Sequence, residues 1–173
     1  LTSIVGTAFA ILIGVPIGIL TAVFLAEAAP KKLAAVVKPA VELLAGIPSV
    51  IYGLVGILVL NPVMYKLELF LFQNSKTHQF TGGANLISAV IVLAIMILPT
   101  VINISESALK AVPQNLKSAS LALGASHIQT IFKVMIPAAK SGIITAIVLG
   151  TGRAIGEAMA IMTGLFLNTG KKI

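Results

Sequence analysis

Residues 113–137 read Pro113-Gln-Asn-Leu-Lys-Ser-Ala-Ser-Leu-Ala-Leu-Gly-Ala-Ser-His-Ile-Gln-Thr-Ile-Phe-Lys-Val-Met-Ile-Pro137, a basic, helix-forming segment between two stretches apolar enough to cross a membrane. Pro113 suits the first turn of a helix, where a missing N–H costs nothing. The run Leu116 to Leu123 ends at Gly124, the residue type that most readily takes the left-handed conformation closing a helix. Ser126 and Gln129 then form a capping box, each satisfying the other's backbone amide, so a second helix starts there. Its apolar positions Ile128, Ile131, Phe132 and Met135 recur at three and four residues and predict one apolar stripe, with Pro137 closing the helix. The product is two short helices at an angle around a glycine. Two readings fit it: a docking surface at the cytoplasmic face, or an amphipathic hairpin resting on lipid headgroups.

The flanks settle the solvent. Leu1 to Ala26 holds no charged residue, enough for a membrane helix, and Gly14 and Gly18 share one of its faces, where a second helix can come close. Of the 173 residues, 58% are hydrophobic and 10% charged, whereas a soluble domain carries roughly a quarter charged residues. The fold class is therefore an all-α, polytopic membrane helix bundle in a single domain, 1–173, since several spans of about 20 residues consume most of the chain. The apolar runs are too long for the strands of a βαβ fold. The first run is also too long for a signal-peptide core, and the chain is expected to be a fragment of a longer protein.

Four spans are expected, at about 1–26, 41–60, 86–104 and 138–167, with a cytoplasmic loop at 109–137. Glu27 to Glu42 carries Lys31, Lys32 and Lys38 between Pro30 and Pro39 and reads as a short interfacial turn. In the second span, Gly46, Pro48 and Ser49 mark a kink, because Pro48 removes a helix hydrogen bond. Irregular backbone at membrane depth is tolerated when packed in protein or lining a cavity, so this stretch is either a packed kink or part of a pathway. Asn61 to Asn85 is the most polar connection and faces outside. His78 and His127 are too isolated to propose a metal site.

The lysines test this orientation. Lys31, Lys32, Lys38, Lys110, Lys117, Lys133 and Lys140 fall on one side, against Lys66, Lys76, Lys171 and Lys172 on the other. That seven-to-four split follows the positive-inside bias. The net charge of +7 is thus assigned to topology and not to nucleic acid, since the basic residues lack interleaved aromatics. The absence of Cys excludes a disulfide framework, a thiolate metal site and a thiol nucleophile.

Arg153 is the thirteenth residue of the apolar run from Ser141. A guanidinium near mid-bilayer costs at least about 2.5 kcal/mol and needs a partner. Glu157, one turn on, supplies it as an ion pair. Gly152-x-x-x-Gly156 on the same turns is a close-packing signature. The pair either pins the bundle or meets an anion in transit, with Arg153 offering bidentate hydrogen bonds to a tetrahedral oxyanion and Glu157 holding it otherwise.

At 113–137 the chain resembles the inner-membrane permeases of ABC importers, whose cytoplasmic loop has the form Glu-Ala-Ala, three residues, Gly, nine residues, Ile-x-Leu-Pro. The matching positions are Ser118, Ala119, Ser120, Gly124 with Ala125 following it, Val134, Ile136 and Pro137. The Gly-to-Pro spacing is kept, while serines replace the Glu and the second Ala. Lys38 to Gly53, Ile97 to Thr100, Ser105 to Pro113 and Gly152 to Glu157 resemble the phosphate-specific permeases, the first block leaning toward the PstC-type member of the PstC/PstA pair.

That resemblance implies a type I importer permease with a methionine-permease-like core in the cytoplasmic (inner) membrane. It implies a coupling helix docking in a groove of the ATPase, and places Arg153 and Glu157 on the phosphate pathway. The implied partners are two ABC ATPase subunits, a second, PstA-like permease, an extracytoplasmic phosphate-binding protein and the lipid bilayer. No cofactor is expected on this chain. Gly164 stands one residue too far from Gly170-Lys171 for a phosphate-binding loop, so ATP is expected to be used by the partner subunit. Neither a Ser/His dyad, a paired Asp nor His-Glu-x-x-His lies within a span, which argues against an intramembrane enzyme. A permease for molybdate or sulfate and an ATPase-independent transporter are the rival readings.

Overall fold

The computed structural model describes residues 2–71 and 86–167, and every regular element in them is helical. Three helical stretches, Ile4–Ala28, Ser49–Leu67 and Leu86–Lys110, are long and apolar enough to cross a membrane; the bent pair His127–Ala138 and Lys140–Glu157 makes a fourth if counted as one.

The hub is α5, Leu86–Lys110, which packs against α1 (Thr2–Val23), α2 (Lys31–Gly46) and α9 (Lys140–Leu167). Leu93, Met96, Ile97, Val101 and Leu109 on α5 are fully buried. Outward-facing Leu12, Leu58 and Val148 are exposed, the arrangement expected when lipid replaces water as solvent. Small residues set how closely α1 and α5 approach. A β-carbon on Gly14 would lie 2.7 Å from the Ile97 Cδ1, and one on Gly18 2.8 Å from the Val101 Cγ1. The close contact expected of this glycine pair is present, with α5 as the partner.

A π-helical turn, Phe24–Ala28, carries the first helix to its end. The segment after it corrects the expectation of a turn: Lys31–Gly46 is the 16-residue helix α2. Pro30 stands at its N-cap in extended conformation, so it starts the helix instead of interrupting a loop. Val41, with Val37 beside it, packs onto Leu25 and Ile102, which fastens α2 to the rest of the bundle.

The break lies at Ile47-Pro48. The residue before a proline is driven out of the helical region, and Ile47 sits at φ −72°, ψ 127°. Pro48 then caps α3, Ser49–Val55, which continues through a π-helical turn, Gly56–Leu60, into α4, Asn61–Leu71. The span expected at 41–60 therefore starts at Ser49, and Pro48 separates two helices where a kink inside one was expected. Residues 61–71, read as polar connection, are helical. His78 and the rest of that connection lie outside the described residues.

At its C-terminal end α5 runs to Lys110, six residues beyond the expected limit of the span. After it come α6 (Gln114–Ala122), α7 (His127–Thr130), a π-helical turn (Ile131–Met135) and α8 (Ile136–Ala138). Pro137 lies inside α8, so the helix closes at Ala139, and α9 leaves at 70°. Gly142 permits this elbow to press against α5: a β-carbon there would lie 2.3 Å from the Ala108 Cβ.

Candidate functional site

Two sites hold the candidate functional residues. The first lies where α9 crosses α5. Arg153 Nε donates to Glu157 Oε1 at 3.4 Å, and its Nη1 donates across the bundle to Thr100 Oγ1 at 3.3 Å. The side chains of Arg153 and Glu157 are 26% and 25% exposed, partly sheltered from solvent. Both hydrogen bonds are long for a charged donor, so the guanidinium is held and not locked. Glu157 Oε2 is buried without a hydrogen-bond partner among the described residues. These two bonds engage two of the five guanidinium N–H groups.

The pairing expected of Arg153 and Glu157 is present; the Thr100 contact was not legible. Thr100 is 53 residues away in sequence, and helical periodicity says nothing about neighbours on another helix. Ala154 is fully buried against α5 and Gly150 would place a β-carbon 2.8 Å from Val101 Cγ2, so α9 lies close enough for Arg153 to reach across. The Tyr52 hydroxyl on α3 donates to the Leu44 carbonyl at 2.6 Å, bridging the Ile47-Pro48 break. No hydrogen bond joins Gly46, Pro48 or Ser49 to the charged pair among the described residues. A β-carbon on Gly152 or Gly156, read as close packing, would meet nothing within 4 Å among the described residues.

The second site is the hairpin at 113–137. Gly124 takes φ +87°, Ala125 N–H donates to the Ser120 carbonyl at 3.2 Å, and Gly124 N–H donates to the Leu121 carbonyl at 3.0 Å. This pair of bonds is a Schellman closure. The Ser126–Gln129 capping box forms in both directions. Ser120 and Thr130 hydroxyls meet at 3.0 Å, linking α6 to α7, and Thr130 also donates to the Ser126 carbonyl at 3.1 Å. Ser120 thus serves the hairpin's own architecture, whereas Ser118 and Ala119 are exposed on α6.

The apolar stripe predicted for the second helix divides. Ile131 and Met135 are buried in the bundle together with Leu109 and Val112, whereas Ile128 and Phe132 face outward. With Leu123, which is 90% exposed at the turn, they leave an apolar surface on the hairpin. Val134 and Ile136 are half-buried and Pro137 is exposed.

Three ion pairs secure this end of the molecule, and none was foreseen. Lys117 on α6 pairs with the buried Glu27 at the end of the first helix. Glu106, 4% exposed, accepts from Lys110 one turn on and pairs with Lys38 of α2 at 3.4 Å. The Lys117 ammonium thus turns inward. Of these pairs, only Glu106–Lys110 had a local signal, the i,i+4 spacing.

Residues 14–167 match the family described as the binding-protein-dependent transport system inner membrane component. The chain is 44% identical over 155 residues to the probable ABC transporter permease protein YqgH of Bacillus subtilis, a match covering 90% of this chain and 47% of that one. It is 38% and 40% identical over 168 residues to the phosphate transport system permease proteins PstC of Mesorhizobium japonicum and Xylella fastidiosa. Each match covers 92% of this chain and 51% or 52% of the relative. The chain thus spans about half the length of the relatives it matches. In three dimensions it aligns with a chain of the inward-facing MetNI methionine ABC transporter, with a TM-score of 0.60 and 24% identity, over 90% of this chain and 65% of that one. That likeness establishes the helical architecture. With its several apolar helices, the chain is a multi-pass membrane protein and belongs to the binding-protein-dependent transport system inner membrane component family.

Proposed function

We propose that this chain forms the permease core of an ATP-driven importer that moves inorganic phosphate across the cytoplasmic membrane. The observation that carries this reading is Arg153, held within α9 by long bonds to Glu157 and Thr100 with guanidinium N–H groups to spare. An arriving tetrahedral anion takes up those donors and weakens the hold of Glu157, which takes the cation back once the anion has left. The PstC relatives supply the substrate class.

Glu157 favours phosphate over the other oxyanions. Its Oε2 is a buried acceptor without a partner among the described residues. Phosphate at neutral pH retains a P–OH that can donate to it, whereas sulfate and molybdate are fully ionised and place only acceptors beside a carboxylate.

In this reading the hairpin at 113–137 docks on an ABC ATPase through Leu123, Ile128 and Phe132, with Ser118 and Ala119 alongside. ATP is hydrolysed by two such partner subunits. A second, PstA-like permease and an extracytoplasmic phosphate-binding protein complete the complex. ATPase closure pushes the hairpin, and the Lys117–Glu27 pair carries the push to the end of the first helix.

The test is ATP-dependent uptake of labelled phosphate by the complete complex in liposomes, with molybdate and sulfate as competitors. Phosphate uptake that requires the ATPase and resists both competitors is expected. Preferred uptake of molybdate or sulfate would replace the substrate, and uptake without the ATPase would refute the coupling.

A further inference from the structure

We infer that Thr100 is a positioning and anion-contacting residue of the pathway, an inference that rests on the anion reading of Arg153. Its contact with Arg153 is the hydrogen bond that joins the guanidinium to a second helix. In that bond Nη1 donates and the threonine oxygen accepts, which leaves the hydroxyl proton of Thr100 to be placed.

Three other helical hydroxyls show one place where such a proton goes, whereas the buried Ser105 Oγ has no partner among the described residues. Thr21 donates to the Ile17 carbonyl at 2.8 Å, Ser107 to Asn103 at 2.8 Å and Thr145 to Ser141 at 2.9 Å, each to the residue one turn back. This back-bonding is the usual resting place of a hydroxyl inside a helix. Thr100 makes no such bond among the described residues. Its oxygen is committed to Arg153 and its proton is uncommitted.

The residue is also held still. Pro99 before it and Val101 after it are fully buried. Val101 fills the hollows left by Gly18 on α1 and Gly150 on α9. Thr100 therefore projects from a closely packed part of the bundle toward a cation on the neighbouring helix. An oxyanion seated on Arg153 has acceptors for both the guanidinium N–H groups and the Thr100 O–H. Glu157, an acceptor itself when ionised, cannot supply that donor. Thr100 thus aims the guanidinium while the site is empty and donates to the anion when it is filled.

The test uses the complete complex in liposomes and measures phosphate moved per ATP hydrolysed, for wild type, Thr100→Val, Thr100→Ser, Arg153→Gln and the Thr100→Val/Arg153→Gln double variant. Valine keeps the shape and removes the hydroxyl; serine keeps the hydroxyl. Thr100→Val is expected to lower the ratio about tenfold, the loss that follows removal of one charge-assisted hydrogen bond. Thr100→Ser should restore it to within about twofold, and the double variant should be no worse than Arg153→Gln alone, because the two side chains act as one unit. A Thr100→Val complex with the wild-type ratio would overturn the inference, as would one that loses uptake and ATP hydrolysis in parallel, or failure of serine to rescue. A wild-type ratio for Arg153→Gln would instead remove the anion reading on which Thr100 depends.

Discussion

The α1–α5 interface and the outer face of α9 carry the same pattern, two glycines four residues apart, and use it differently. At Gly14 and Gly18 the absent side chains are occupied by Ile97 and Val101, so the glycines are the condition for two helices to touch. At Gly152 and Gly156 no neighbouring atom of the described residues lies within 4 Å of where a β-carbon would stand. The motif states that a close approach is possible, and only tertiary structure says whether a neighbour makes it. Gly124 is a third kind: nothing crowds it, yet its φ of +87° is one that side chains resist.

Substitutions should separate these cases by size and sign. The largest effect is expected for Gly18→Val, which drives a branched side chain into Val101. Overpacking of this kind costs about 1–3 kcal/mol, to be read as a lower melting temperature of the detergent-solubilised protein. An unchanged melting temperature would mean that α1 and α5 separate easily. Gly124→Val comes next, at about 1–2 kcal/mol for a left-handed β-branched residue. Its signature is weaker copurification of the ATPase with the bundle otherwise intact, and undiminished copurification would contradict it. The smallest effect, opposite in sign, is expected for Gly152→Ala. With no neighbour among the described residues to strike, the methyl group gains up to roughly 1 kcal/mol of helix propensity. Destabilisation of the isolated chain there would erase the contrast.

What could be read beforehand followed from local chemistry. The Schellman turn at Gly124, the Ser126–Gln129 box and the Arg153–Glu157 pair all span at most a few residues, where spacing dictates geometry. The α1–α5 contact was half legible: the glycines marked a face without naming the helix that covers it. Long-range partners were silent. Thr100 meets Arg153 from 53 residues away and Lys117 meets Glu27 from 90, and no periodicity connects them. α2 was missed because Pro30, Pro39 and three lysines resemble loop punctuation, although Pro30 lies at the N-cap and Val37 and Val41 anchor one face in the bundle. The split of the Ile128–Met135 stripe has a related cause. An apolar stripe predicts burial of one face, whereas this helix is clasped on one side by the bundle and leaves the other outward.

The central claim is that Arg153 handles the transported anion and does more than pin α9 to α5. It is tested most directly by ATP-dependent phosphate uptake of the complete complex carrying Arg153→Gln, normalised to the amount of assembled complex. Loss of at least about a hundredfold is expected, equivalent to two charge-assisted hydrogen bonds, with assembly preserved because the glutamine keeps much of the packing volume. Uptake within about twofold of wild type would contradict the account and return Arg153 to a purely structural role.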